Sequence, residues 1–101
     1  MGEKMRDLTE IRKSINEIDD ELLELFMKRM DCAKEVAEYK KEKNIPILNE
    51  AREKEILDKI EKKGGEYGVA AKILYSNIME LSRELQHSII NESANDKPER
   101  L

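Results

Sequence analysis

An all-α fold of three helices, the first of them very long, is predicted by three observations. Apolar residues recur three and four positions apart over long stretches, the spacing that lines one face of a helix. The few Gly and Pro residues fall at the ends of those stretches, so breaks are confined to a few points. The composition is 42% charged and only 4% aromatic, rich in Glu, Lys, Leu and Ile, and no segment shows the alternation of a strand.

The first helix is expected from about Asp7 to Lys43. Asp7 or Thr9 caps it, and acidic residues populate its first turns. Leu8, Ile11, Ile15, Ile18, Leu22 and Leu25 form a seam suited to packing along another helix. Pro46 disfavours a helical Ile45 and closes the segment, leaving Asn44–Leu48 as a short loop. Asn49 then reads as an N-cap, with Glu50 favourable at the positive end of the second helix. That helix runs to about Lys63 and stops at Gly64-Gly65. The third helix is expected from about Val69 to Asn91, with Ile73, Leu74, Ile78, Leu81, Leu85 and Ile89 as its inner face. Residues 1–91 thus read as one helical domain, and residues 92–101, which include Pro98, as a polar tail or linker.

Helix lengths point to self-association. At about 1.5 Å per residue the first helix is roughly 55 Å long, against about 22 Å and 34 Å for the others. A globular domain of this length is about 26 Å across. Two short helices folded onto the long one leave part of its seam bare, so a second copy is expected to cover it.

Composition excludes several classes. The longest uninterrupted apolar run is about four residues, too short for a membrane span. No apolar stretch follows Met1-Gly2-Glu3-Lys4, so no secretory signal is expected. One cysteine, Cys32, suits a reducing cytoplasm; near the seam, it reads as a small buried hydrophobe. A net charge of −4 and few aromatics argue against a general nucleic-acid binder. With His87 as the only histidine, on an exposed helix face, neither a histidine-based metal site nor a Ser/His/Asp set is expected.

Two cations interrupt the apolar stripe of the first helix. Beyond Leu25 the face continues through Arg29, Ala33, Val36 and Lys40. Arg29 and Lys40 are eleven residues apart, which leaves them about 20° apart around an ideal helix. Each alone could extend its head to water along an apolar surface. Together they point to an anion bound within a helical bundle, because buried charges are paired or ligand-bound. Ser82 and Gln86, four apart, interrupt the third helix between Ile78 and Ile89 and offer a hydroxyl and an amide. The run Asn49-Glu50-Ala51-Arg52-Glu53 opens the second helix, where backbone N–H groups face outward, although Arg52 and Glu53 also fit a solvated charged face.

These residues resemble the all-helical chorismate mutases. The run Ile11–Leu23 has the family's Arg, then Ile-Asp, then a leucine-rich stretch, and Arg29 follows at the family spacing. Val36-Ala37-Glu38-Tyr39-Lys40 resembles its Val-Ala-x-x-Lys, Ile45-Pro46-Ile47 its loop, Arg52-Glu53 its second-helix start, and Ser82–Gln86 its last active-site stretch. The resemblance covers about residues 8 to 90. It implies an intertwined homodimeric helical bundle that converts chorismate to prephenate without cofactor or metal, in the pathway to phenylalanine and tyrosine. It also implies that Arg12 and Arg29 bind the two substrate carboxylates and that Lys40 and Gln86 contact the ether oxygen. Glu53 and the backbone near Asn49 would hold the ring hydroxyl, and Arg52 and Ser82 would support carboxylate binding or order the site. The family commonly has Asp where this chain has Asn49, an equally good helix cap but without the charge.

Geometry adds a separate point. Arg12 and Arg29 are seventeen residues apart, about 25 Å along a helix and about 100° around it. One small substrate cannot reach both in one chain, so Arg12 is expected to come from a partner. Two alternatives stay open at this stage. Isochorismate pyruvate lyases share the helical fold and cationic site. A non-catalytic dimerisation module would carry an apolar residue or Asn at position 29 and no inward Ser82/Gln86 pair.

Overall fold

A computed structural model describes residues 5–95, with side chains characterised through residue 92. Among the described residues the structure is all helical: α1 (Leu8–Lys43), α2 (Glu50–Lys63), a short 3₁₀ turn (Gly65–Tyr67) and α3 (Gly68–Asn95). The chain divides into two compact units, Met1–Asp31 and Cys32–Leu101.

In the first unit α1 starts as its cap predicts. The Asp7 carboxylate accepts the backbone N–H of Glu10 at 2.8 Å, satisfying one of the free donors of the first turn. Arg6 reaches forward to the Glu10 carbonyl at 2.9 Å and to the Ser14 hydroxyl. The stripe of Leu8, Ile11, Ile15, Ile18, Leu22 and Leu25 is exposed throughout. A single chain therefore leaves this seam in water, which is unfavourable for so much contiguous apolar surface.

In the second unit the end of α1 is set before the proline acts. Asn44 adopts the left-handed conformation, φ 57°. Its N–H donates to the Lys41 carbonyl at 3.3 Å, and the Ile45 N–H donates to the Lys40 carbonyl at 2.8 Å. This pair of bonds is a Schellman cap, with Asn44 in the position that glycine usually takes. Asn tolerates that conformation better than most residues. The helix thus stops at Lys43 because of Asn44, and Pro46 only prevents its resumption.

Asn49 caps α2 as expected, its side-chain oxygen accepting the Arg52 N–H at 3.0 Å. At the other end Gly65 has φ 57° and Gly64 lies against the start of α3. Gly68 is buried, and a Cβ there would lie 2.2 Å from the Glu61 carbonyl oxygen. Only glycine lets the two backbones come this close. The 3₁₀ turn between them was not expected, and it reverses the chain so that α2 and α3 pack on each other. Pairs across them run Glu61–Lys72 near the turn and Glu53–Arg83 farther from it, the order of an antiparallel hairpin.

The face of α3 that is covered within one chain differs from the expected one. Met79, Ser82 and Gln86 are buried, while Ile73, Leu74 and Leu81 are exposed. Spacings of three and four join Met79, Ser82 and Gln86 into one line. The apolar residues at 73, 74 and 81 form a neighbouring stripe that one chain does not cover. On α1 the buried residues of this unit are Ala33 and Ala37, and Val36 is exposed. Cys32, read above as buried, is exposed, because it stands one position off the Ala33–Ala37 line. Helix α3 also continues through Asn95, beyond the expected end at Asn91, and residues 96–101 of the expected tail lie outside the described residues.

Candidate active site

Lys40 is the first element of the site. It stands in the last turn of α1 and is half-buried. The Schellman cap turns the chain back, and the Lys40 ammonium donates to the Ile47 carbonyl at 2.6 Å. The same residue accepts the Ile45 N–H through its own carbonyl. Lys40 is therefore stapled to the α1–α2 loop at both its backbone and its side chain. An ammonium has three donors, so two remain for an anion or an ether oxygen.

Ser82 and Gln86 supply the second element. They are 8% and 6% exposed, so the structure puts both polar side chains inside rather than on a polar flank. The Gln86 amide N–H donates to the Ser82 hydroxyl at 3.1 Å. The Gln86 carbonyl oxygen, Oε1, is buried and has no hydrogen-bond partner. Leaving such an acceptor unpaired typically costs about 1–3 kcal/mol. Such a group calls for an explanation, and a water, an ion or a catalytic role can each supply one.

The opening turns of α2 form the third element. Glu53 is gripped by Arg83 of α3, one guanidinium nitrogen lying 2.5 Å from each carboxylate oxygen. Arg83 lies within the last-helix stretch Ser82–Gln86, and no local pattern assigns it a role. Arg52 instead points to Glu55 in an exposed ion pair, the solvated-face arrangement that its pattern also allowed. Asn49 acts through its capping oxygen.

Beside the Glu53–Arg83 pair an open groove of about 510 Å³ runs between α2 and α3. Lys54 and Asp58 also line it. The hydrogen bond from Lys54 holds the Asp58 carboxyl below the usual carboxylate range, and its partner Lys54 is raised in turn.

The remaining expected residues lie in the first unit, where Arg12 is exposed and Arg29 is half-buried. Ser82 with Gln86, Glu53 with Arg83, and Lys40 with the Ile47 carbonyl are the groupings the structure makes. His87 is exposed, as expected. Among the described residues no cluster of His, Cys, Asp or Glu could hold a metal ion, and no helix is long and apolar enough to cross a membrane.

A hydrogen-bonded ammonium, a buried hydroxyl–amide pair and a clamped carboxylate, all carried on helices, are groups of the kind that hold small molecules in helical bundles. The chorismate mutase type II profile matches residues 11–87, and the chain belongs to that family. A chorismate mutase of Methanocaldococcus jannaschii is 40% identical over 91 residues, covering 87% of this chain and 92% of that protein. A bifunctional chorismate mutase/prephenate dehydratase of Aquifex aeolicus is 45% identical over 56 residues, 55% of this chain and 16% of its own length. Another bifunctional protein of that description, from Buchnera aphidicola, is 32% identical over 93 residues, 89% of this chain and 24% of its own. No solved structure matches the chain.

Proposed function

We propose that this protein is a chorismate mutase that rearranges chorismate to prephenate on the way to phenylalanine and tyrosine, acting as a cytoplasmic homodimer. Family membership and the chorismate mutase of Methanocaldococcus jannaschii, matched over 92% of its length, support the activity. The observation that carries the site is the Ser82–Gln86 pair, buried on a helix face with a bare amide oxygen. Residues 1–91 form the catalytic domain, and residues 92–101 are a polar extension.

The reaction is an intramolecular Claisen rearrangement. One C–O bond of the ether breaks as one C–C bond forms, and no proton, electron or outside nucleophile enters. What the protein must supply is shape and charge. Arg29 and, from the partner chain, Arg12 grip the two carboxylates and hold the substrate in its compact pseudo-diaxial form, a planar fork matching each carboxylate. The exposed seam of α1 supports the partner, because a second copy buries Leu8 through Leu25 and carries its Arg12 to the site.

As the C–O bond breaks, negative charge collects on the ether oxygen. The free donors of Lys40 and the Gln86 amide meet that charge better in the transition state than in the ground state. In the bound state the Gln86 amide is turned relative to the free chain. Ser82 then donates to Oε1, which satisfies the bare acceptor, and one amide N–H faces the ether oxygen. Glu53 and the backbone near Asn49 receive the ring hydroxyl, and Arg52 supports the nearer carboxylate. Spectrophotometric depletion of chorismate by the purified chain, with size-exclusion measurement of its mass, tests activity and dimerisation together.

A further inference from the structure

We propose that Arg83 is a positioning residue, whose grip on the Glu53 carboxylate aims that carboxylate at the substrate's ring hydroxyl. The inference rests on the reading of Glu53 as the hydroxyl's acceptor and extends it to a residue with no role so far. The two side chains come from different helices, thirty positions apart, so the pair is a product of the α2–α3 hairpin and not of local spacing. Their side chains are only 29% and 24% exposed, whereas those of the other described ion pairs are 41–77% exposed. Exposed pairs contribute little and wander. A shielded pair with one nitrogen set against both oxygens holds the carboxylate group in one place.

That geometry leaves Glu53 able to act. A carboxylate offers about four lone-pair sites, and Arg83 engages one on each oxygen. The remainder are available to a hydroxyl donor. The pair also lines the open groove between α2 and α3, with Leu48 and Leu57 beside it, so the carboxylate is reachable from solvent. Without Arg83, Glu53 would regain side-chain freedom and the lone pairs would no longer be aimed. The loss would appear in recognition of one substrate group and not in the stability of the helices.

The test uses the full chain and two substrates, chorismate and an analogue in which hydrogen replaces the ring hydroxyl. Arg83→Met is expected to lower kcat/KM for chorismate about tenfold, the scale of one hydrogen bond to a charged group. It should lower kcat/KM for the analogue less than about twofold, because the group that Glu53 serves is missing. Glu53→Gln should behave alike, and the double variant should be no worse than Glu53→Gln alone. Arg83→Lys, which keeps a cation within reach of one oxygen, should recover part of the loss. Far-ultraviolet circular dichroism establishes that each variant is folded, and Arg83→Lys serves if Arg83→Met is not. Equal losses on both substrates, or losses that multiply in the double variant, overturn the proposal. So does a loss in Glu53→Gln with none in Arg83→Met, which leaves the reading of Glu53 intact. If Glu53→Gln is as active as the wild type on chorismate, the reading of Glu53 itself fails and the proposal goes with it.

Discussion

The Gln86 amide donates to the Ser82 hydroxyl one turn earlier on α3, at 3.1 Å, and both side chains are buried while the amide oxygen has no partner. A helix that served only to pack would place apolar residues at both positions, since an unsatisfied buried acceptor weakens the fold. The cost makes sense if the amide is kept for a charge that develops during reaction.

Removing that amide should therefore cost rate and leave the fold in place. Gln86→Ala and Lys40→Ala are each expected to lose roughly 10²–10³ in kcat, the scale of one preorganised donor to a developing oxyanion. Ser82→Ala should lose less, because it frees the amide to rotate without deleting it. Steady-state kinetics on the folded variants give these values.

The role proposed for Gln86 also implies a pH profile. An amide does not titrate, and neither does a guanidinium in the working range, so activity should vary little from about pH 6 to 9. Gln86→Glu should behave differently. A carboxylate only accepts hydrogen bonds, so this variant can donate to the ether oxygen only when protonated, and its activity should rise as pH falls. A steep acid optimum in the unaltered protein, or a flat profile in the variant, would contradict the role given to this residue.

Two backbone positions carry stability predictions. Asn44→Ala forces a residue with an ordinary Cβ into the left-handed region that closes α1, at a cost of about 1 kcal/mol. Asn44→Gly should be tolerated. Gly68→Ala pushes a methyl group into the Glu61 carbonyl and should cost about 1–3 kcal/mol, or several degrees in Tm. Thermal unfolding by circular dichroism reads both.

The proposed sharing of the site between chains is open to complementation. Arg12→Ala and Gln86→Ala dimers should each be nearly inactive. Mixed and allowed to exchange subunits, they should regain up to about a quarter of wild-type activity. Half of the dimers would then be mixed, each with one intact and one doubly altered site. If mixing restores nothing although mixed dimers form, Arg12 does not act across the interface.

Much of this molecule is legible in its sequence, and the gaps have physical causes. Asp7 and Asn49 announce two helix starts through their side-chain oxygens, and Gly64-Gly65 announces a stop. The stop at Asn44 was masked by the neighbouring Pro46, although the bonds that close the helix are made by Asn44 and Ile45. On α3 the expectation followed the most apolar residues, whereas the face covered within one chain is the line of Met79, Ser82 and Gln86. Hydrophobicity alone does not separate a face covered by the same chain from one left for another. Ser82 and Gln86 themselves were visible as polar interruptions of a periodic stripe. The Arg83–Glu53 clamp was not, because no local spacing joins residues thirty apart.

On the proposed function, cationic groups on the long helix are retained to bind a doubly negative substrate. Chorismate turnover by purified Arg29→Ala protein tests this most directly. The prediction is a folded protein with almost no activity beside an active wild type, and turnover near that of the wild type would contradict it.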